Sequence, residues 1–279
     1  MQKTSVRELL CFGITTAGGN AALVVRNDAC GADQRQQFAR GQNKPACVFI
    51  DEDPDGGIVL DYFYPHTPSP LCLHATLAAA RVLLSAERPE LKVRTAMRGQ
   101  ELALTLADDE VFISLSPQSP PDVAIAPDLA ARLLAAPDIQ LASLPGIASV
   151  GSPKLLLEVA DRATLHALAP DLDAIAAWSK LNAVSGCYAW CRRADGAFEG
   201  RNFNHLDPAL EDSATGVAAG ALTVYLHTGL TLYQGANLGQ PCRIVTRIAH
   251  HENILISGKT LSVALRSAPP TLARQNNSK

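Results

Sequence analysis

Residues 211–227, which read EDSATGVAAGALTVYLH, decide how the rest of this chain is interpreted. Two carboxylates are followed by Ser213 and Thr215, both good helix-capping residue types, and then by a run of small apolar residues. The pattern predicts a helix from about residue 217 to about residue 227, ended by Gly229. Because small side chains allow close packing, we expect this helix to lie in the middle of a domain.

Asp212 stands at the expected start of this helix. The N-terminus of a helix presents unpaired backbone N–H groups and partial positive charge, which favour a bound anion. A carboxylic acid beside a site for a carboxylate-sized anion suits proton transfer next to a substrate carboxylate. The alternative interpretation is an acidic helix start that only complements the helix dipole.

A second stretch, residues 70–83 (PLCLHATLAAARVL), is built in the same way. Cys72 and His74 precede Thr76, and a helix of small apolar residues is predicted from residue 76 to about residue 85. Two helix N-termini that face one cleft would hold a carboxylate and place a proton donor or acceptor on either side of it.

The composition indicates an ordinary globular protein. Its 279 residues are 47% hydrophobic and 18% charged, and the formal net charge is −3 with a pI near 6.2. This balance gives no electrostatic case for binding nucleic acid or an anionic membrane. The sequence has no signal-peptide pattern and no apolar run long enough to span a bilayer, so we expect a cytoplasmic protein that does not enter the membrane.

Seven cysteines are scattered through the chain without a CxxC pair. Cys187 and Cys191 are four residues apart, but no third or fourth ligand is spaced to complete a zinc site. We therefore expect free thiols in a reducing compartment and no metal site.

The order of predicted elements is the same in both halves of the chain: strands, one central helix and more strands. Residues 117–121 (PQSPP) contain three prolines and form the best domain boundary. The sequence therefore predicts an α+β protein of two similar lobes, residues 1–118 and 119–279. The last strand, near residues 261–265, is a candidate to complete the first lobe. The second sheet is expected to begin at residues 140–143, and the tail after Ser267 is expected to be frayed.

Five motifs resemble those of a known family in their order and spacing, from about residue 7 to about residue 265. They are Gly19-Asn20; Cys72-Leu-His74-Ala-Thr76; Gly200-Arg201-Asn-Phe203; Glu211-Asp212-Ser-Ala-Thr215-Gly216-Val-Ala-Ala219-Gly220; and Gln234-Gly235 with Gly239-Gln-Pro241. The family is that of the PhzF-like isomerases of phenazine biosynthesis, which share the diaminopimelate-epimerase fold. The resemblance implies two barrel-like lobes, each a mixed sheet around its central hydrophobic helix, with the active site between them. It also implies chemistry without a metal or an organic cofactor, and often a homodimer.

The resemblance implies catalytic roles for Asp212 and His74, which match the family motifs. The chain departs from the family at the Glu of the first lobe that normally acts as the proton-shuttling base. Ala46 falls at that position, and Cys47 stands next to it. Leu73 replaces a family Gly and is expected to narrow the anion pocket or to remove a close backbone approach. Val217 stands where many members carry Ser.

Cys72 and Cys47 are the candidate acid/base thiols. Related enzymes of this fold, diaminopimelate epimerase and proline racemase, use one cysteine at each helix N-terminus. Cys72 falls at the first of these positions, but Ser213 falls near the second. A helix N-terminus is a setting that lowers the pKa of a thiol. The alternative for both cysteines is a small buried core residue, which the neighbouring Val-Phe-Ile sequence favours for Cys47.

The remaining candidates are positioning groups around a substrate carboxylate. They are Asn20, Thr76, Thr215 and Gly216, for which turn and cap chemistry is the alternative. Three functions stay open. The first is a cofactor-independent isomerase that moves a proton on a small carboxylate-bearing substrate in the cleft. The second is a cysteine-based racemase, epimerase or dehydratase of a small amino or hydroxy acid, and the third is a binding protein that lost catalysis together with the family's Glu.

Overall fold

The computed structural model describes residues 4–15, 18–203, 211–249 and 252–263, and the tail after Ser267 lies outside these ranges. The helices of the described part are α1 (Ala32–Gln42), α2 (Leu73–Leu83), α3 (Leu129–Leu133), α4 (Arg162–Ala167), α5 (Leu172–Asn182) and α6 (Gly216–Leu226). Its strands are β1 (Ser5–Cys11), β2 (Asn20–Arg26), β3 (Ala46–Glu52), β4 (Ile58–Phe63), β5 (Pro68–Ser69), β6 (Glu90–Thr95), β7 (Glu101–Ala107), β8 (Glu110–Leu115), β9 (Gly146–Ala148), β10 (Lys154–Glu158), β11 (Cys187–Arg192), β12 (Phe198–Phe203), β13 (Glu211–Asp212), β14 (Thr231–Gln234), β15 (Cys242–Ile248), β16 (Ile254–Ser257) and β17 (Thr260–Val263).

These strands form one connected mixed sheet. In the first half of the chain, β1 pairs antiparallel with β2 and with β17, and β2 pairs parallel with β3. Strand β4 pairs antiparallel with β3 and parallel with β6, and β6, β7 and β8 form an antiparallel meander.

In the second half, β10 pairs with β9 and, in parallel, with β11, and β11 pairs antiparallel with β12. Strand β12 runs parallel to β14, and β14, β15 and β16 are antiparallel. Strand β16 also pairs antiparallel with β8, which joins the two halves of the chain. The predicted α+β class is confirmed, whereas the division at residue 118 stays a prediction.

Helices α2 and α6 are the two central helices. Residues 73–80 of α2 are buried, and so are Gly216 and residues 218–223 of α6. Small residues permit this packing, since a Cβ atom on Gly220 would lie only 2.8 Å from Val150 Cγ2. The prediction of a central helix within residues 211–227 is confirmed. None of the described helices is long and apolar enough to cross a membrane.

The shorter helices cover the outer faces of the sheet. Helix α1 contributes Phe38 and Ala39 to a cluster with the outward side chains of β2 and β3. Helices α3, α4 and α5 form a second cluster over β10 and β11. The inward side chains of the same strands pack against α2 and α6.

Three predicted boundaries differ from the structure. Helix α6 ends at Leu226, because His227 adopts a left-handed conformation with φ of 51°. Helix α2 begins at Leu73, since the Thr76 backbone N–H already bonds to the Cys72 carbonyl oxygen at 2.8 Å. Residues 140–143 form no strand, and Leu141 makes only an isolated bridge there.

Candidate active site

The N-termini of α2 and α6 meet directly. A Cβ atom on Gly216 would lie 2.9 Å from Leu73 Cβ and 3.2 Å from Leu73 Cδ1. Leu73 is buried, so its side chain fills the space between the two helix ends. The close approach explains why position 216 requires glycine. It also means that the two helix ends do not form an open anion pocket in this chain.

A cavity of about 470 Å³ lies beside these helix ends. Its described lining consists of Asn20, Asn43, Lys44, Pro45, Tyr64, Pro65, His66, His74, Glu211, Asp212, Ser213, Leu238 and Gln240. A cavity of this size accommodates a small organic molecule. Three of the predicted site residues, Asn20, His74 and Asp212, therefore share one cavity.

Asp212 is held on both carboxylate oxygens. The Asn20 side-chain amide donates to Asp212 Oδ1 at 2.6 Å, and the Thr215 hydroxyl donates to Asp212 Oδ2 at 2.6 Å. A carboxylate oxygen has two lone pairs, so each oxygen can accept another hydrogen bond besides these. The carboxylate is thus fixed in place at the cavity wall and still able to accept or return a proton.

The Asn20 amide has two hydrogens and three nearby acceptors. Asp212 Oδ1 at 2.6 Å and the Ala214 carbonyl oxygen at 3.2 Å are closer than His74 Nδ1 at 3.4 Å. The two closer acceptors take the two hydrogens. Asn20 therefore holds the Asp212 carboxylate in place, while the predicted contact of Asn20 with a substrate carboxylate stays a prediction.

His74 is in the first turn of α2, and its side chain lies beside Asp212. Burial lowers the pKa of His74, and the Asp212 charge and a hydrogen bond to the Ala21 backbone only partly oppose this effect. The ring is therefore neutral at pH 7. Its Nδ1 atom lies 3.4 Å from Cys72 Sγ, whose S–H group can donate to it, whereas both hydrogens of the nearby Asn20 amide are already used. This environment favours the tautomer in which Nδ1 accepts and Nε2 carries the hydrogen.

Cys72 is buried behind His74 and does not line the cavity. Burial raises the pKa of the Cys72 thiol to about 12, and the Asp212 charge adds to the rise. A backbone N–H of Ala75 and the Tyr64 hydroxyl lower it by smaller amounts. The helix N-terminus was expected to lower the pKa of this thiol. That expectation is wrong, because desolvation raises the pKa by more than the helix N-terminus lowers it.

Cys47 is not brought to the cavity. It is fully buried on β3, in the outer cluster with Phe49 and the α1 residue Phe38. Ala46 points to the opposite face of β3, toward the α2 core. Burial raises the pKa of Cys47 to about 12. The predicted use of Cys47 in place of the missing Glu therefore finds no support in the geometry.

The remaining predicted positioning residues lie near the site but do not line the cavity. Thr76 is fully buried, where its hydroxyl donates to the Cys72 carbonyl oxygen at 2.9 Å and contacts the Tyr62 hydroxyl at 2.7 Å. Thr215 is the N-cap of α6 but makes no side-chain cap bond, because its hydroxyl donates to Asp212 instead. Gly216 packs against Leu73.

Several residues that line or support the site were not predicted from sequence. Lys44, Tyr64 and His66 come from the loops that follow α1 and β4, and Lys44 Nζ lies 2.7 Å from Glu8 Oε1. Gln234 lies behind Asp212, and the only signal for it was its place in the Gln234-Gly235 motif. No three His, Cys, Asp or Glu side chains are grouped as metal ligands within the described ranges.

The model of the phenazine biosynthesis-like protein family, PhzC-PhzF, matches residues 11–266 of the chain. A curated relative from Deinococcus radiodurans, named an uncharacterized isomerase, is 29% identical over 268 residues and covers 88% of this chain and 87% of its own length. The isomerase YddE of Escherichia coli K12, also named uncharacterized, is 26% identical over 269 residues, with 86% and 90% covered.

The fold is also that of solved structures. A phenazine biosynthesis PhzF-family protein from Enterococcus faecalis superposes with a TM-score of 0.73 at 22% identity. The superposition covers 95% of this chain and 98% of that protein. At this identity the likeness concerns the fold alone.

Proposed function

Because the chain belongs to the phenazine biosynthesis-like (PhzC-PhzF) family, whose curated relatives are isomerases, we propose that it is a cofactor-independent proton-transfer isomerase. Its substrate is a small carboxylate-bearing molecule bound in the cavity beside Asp212 and His74. One observation carries the proposal: the Asp212 carboxylate lines the cavity and is fixed through both oxygens by Asn20 and Thr215.

Asp212 takes a proton from a carbon made acidic by a neighbouring group and returns one to another position of the same substrate. The bonds from Asn20 and Thr215 hold the carboxylate in one orientation, so no reorganisation is needed before proton transfer. No electron is gained or lost overall, and side chains alone supply the donor and acceptor.

His74 assists as a neutral imidazole. In the tautomer favoured by the Cys72 thiol, Nδ1 is the acceptor and Nε2 carries the hydrogen. A neutral ring whose pKa is lowered by burial can pass a proton without retaining it. His74 therefore serves as the relay next to Asp212.

Lys44 supplies the positive charge for the substrate carboxylate. It is the one Lys or Arg among the described lining residues, and its side chain remains 36% exposed. The space between the helix N-termini, which would otherwise hold an anion, is filled by Leu73. An ammonium group at the cavity wall compensates for that loss.

The test is hydrogen exchange in D2O, followed by proton NMR, with a panel of 2-amino, 2-hydroxy and cyclic unsaturated carboxylic acids. We expect exchange or isomerisation by the wild-type protein and a loss of about 10²- to 10⁴-fold in Asp212→Asn. Asp173→Asn is the matched control, because Asp173 is exposed in the first turn of α5 and does not line the cavity. Equal losses in both variants would contradict a specific role for Asp212.

A second candidate, a ligand-binding protein without catalysis, is favoured by one observation. By the family resemblance, Ala46 falls at the position of the family's catalytic Glu, and neither Ala46 nor Cys47 lines the cavity. Binding of a panel compound, measured by calorimetry, without any exchange in D2O would favour this candidate over the isomerase.

The homodimer implied by the family resemblance also stays a proposal. Size-exclusion chromatography with light scattering distinguishes a monomer of 29.5 kDa from a particle of twice that mass.

A further inference from the structure

Gln234, the last residue of β14, is 2% exposed and lies behind Asp212 without lining the cavity. Its Nε2 donates to the Asp212 backbone carbonyl oxygen at 2.6 Å and to Thr215 Oγ1 at 3.1 Å. Its Oε1 accepts from the Thr215 backbone N–H at 3.3 Å and from the Tyr188 hydroxyl at 3.1 Å. A flipped amide would set oxygen against oxygen at Asp212, so the partners fix its orientation.

This orientation also fixes the hydroxyl hydrogen of Thr215. An amide nitrogen can only donate, so Thr215 Oγ1 accepts from Gln234. The single hydroxyl hydrogen is then directed to Asp212 Oδ2, 2.6 Å away. Gln234, Thr215 and Asp212 thus form one directed chain, in which each hydrogen bond strengthens the next.

Two glycines allow the side chain of Gln234 to reach these partners. Gly200 is its neighbour in the parallel pair of β12 and β14, and a Cβ atom there would collide with the Tyr188 hydroxyl. Gly235 is left-handed, with φ of 82°, and a Cβ atom there would lie 2.6 Å from the Ser213 carbonyl oxygen. The backbone on either side of Gln234 is therefore shaped around its contacts with the 212–215 turn.

We propose that Gln234 is a positioning residue for Asp212. Its amide holds the 212–215 turn in place and turns the Thr215 hydroxyl hydrogen onto the carboxylate that faces the cavity. The inference rests on the proposed function in one respect: the proposed function is what assigns proton transfer to Asp212. Gln234 itself acts only through its contacts with the turn.

The first test is kinetic. Gln234→Met keeps a similar volume but removes the amide, and we expect kcat to fall about 10- to 100-fold. KM should change by less than about threefold, since Gln234 does not line the cavity. Thr215→Val removes only the hydroxyl and should lower kcat in the same way, which keeps the test valid if Gln234→Met fails to fold. Gln100→Met is the matched control, because the Gln100 amide bonds to the Val150 carbonyl oxygen and neither residue lines the cavity.

The second test needs no substrate. The Asp212 charge raises the pKa of His74 against the larger lowering by burial, so His74 reports the position of the carboxylate. Histidine NMR titrations, assigned with His74→Gln, should show a further lowered His74 pKa in Asp212→Asn. Gln234→Met and Thr215→Val should shift the His74 pKa in the same direction, while Gln100→Met should not.

The two readouts separate the two proposals. A folded Gln234→Met or Thr215→Val protein with an unchanged His74 pKa overturns the positioning role, whether or not kcat falls. If the wild-type protein turns over no compound, the proposed function fails, and the His74 titration still decides the role of Gln234.

Discussion

Asn20 and Asp212 are 192 positions apart in the chain and are joined by a hydrogen bond of 2.6 Å from the Asn20 amide to the Asp212 carboxylate. Asn20 is the first residue of β2, and Asp212 is the last residue of β13. The second hydrogen of the same amide is bonded to the Ala214 carbonyl oxygen. One buried side chain of the first half of the chain thus sets the place of the acid in the second half.

Replacement of Asn20 tests this dependence. Asn20→Ala removes a hydrogen bond to a charged group, which contributes about 1.5–3 kcal/mol, so we expect kcat/KM to fall about 10- to 100-fold. The loss should appear mainly in kcat, because the Asn20 amide hydrogens are used by Asp212 and Ala214. A rise in KM at unchanged kcat would instead indicate that Asn20 binds the substrate.

The thiol of Cys72 is expected to be unreactive. Its pKa of about 12 leaves almost no thiolate at pH 8, and the side chain is buried. Iodoacetamide should modify the partly exposed Cys30 well before Cys72, as mass spectrometry of tryptic peptides will show. Cys72→Ala should keep activity within about tenfold of wild type, because the buried thiol does not line the cavity.

The opposite result would support the cysteine-based alternative. Rapid alkylation of Cys72, slowed by a bound carboxylate and accompanied by complete loss of exchange, would require Cys72 to reach the substrate. Cys30→Ala serves as the control for modification elsewhere.

The titration of His74 links stability to pH. Burial lowers the pKa of His74 below its ordinary value of 6.5, so the unfolded chain takes up this proton at a higher pH than the folded chain does. The stability contributed by neutral His74 is therefore present above about pH 6.5 and is lost as the pH falls through the pKa of His74 in the folded protein. Over this range the free energy of unfolding decreases by up to about 1.4 kcal/mol per pH unit.

Urea unfolding between about pH 5 and pH 8 gives the free energy of unfolding of wild type and of His74→Gln. The difference between the two proteins measures the contribution of His74 at each pH. The glutamine variant should lose less stability on acidification than wild type, because it has no proton to take up at this site. Parallel curves would show that His74 has the same pKa in the folded and unfolded states.

The role of Lys44 is tested by the pair it forms with Glu8. Lys44→Met should raise KM about tenfold with little change in kcat, since it removes an attraction made equally in the bound and transition states. Glu8→Gln frees the ammonium group from its partner at 2.7 Å and should lower KM. The exposed Lys180 provides the control Lys180→Met, and similar KM values in all three variants would contradict the assignment.

Much of the fold follows from local sequence patterns. The central helices are marked by runs of small apolar residues, which remain visible without any knowledge of the partner strands. Asp212, His74 and Asn20 could be named as candidates from sequence, because short motifs at the ends of helices and strands carry them. These features are local, and the structure brings them together in one cavity.

Local sequence patterns could not predict contacts between segments that are far apart in the chain. Thr215 has the sequence position of a cap, yet Gln234 turns its hydroxyl toward Asp212. The prediction for Cys47, in contrast, could have been rejected from local sequence alone. Neighbouring residues of a strand point to opposite faces, so a residue next to Ala46 cannot replace a side chain at position 46.

The contact between Leu73 and Gly216 gives the last prediction. An alanine at position 216 would bring its Cβ atom to 2.9 Å from Leu73 Cβ, which is too close to be accommodated without a shift of the helices. We therefore expect Gly216→Ala to lower the free energy of unfolding by about 1–3 kcal/mol. In a Leu73→Gly background the colliding atoms are absent, so the same change should cost less, with a coupling energy of about 0.5–3 kcal/mol.

Leu73→Gly should also change what the site binds. Removing the buried leucine side chain destabilises the fold by about 2–5 kcal/mol, but it exposes the N–H groups at the two helix ends, which favour an anion. Added sodium sulfate should then raise the melting temperature of Leu73→Gly more than that of wild type, because an ion bound only by the folded state stabilises it. Equal increases in melting temperature for the two proteins would show that the helix ends stay closed without Leu73. Leu73 would then be a packing residue and not a side chain that blocks an anion site.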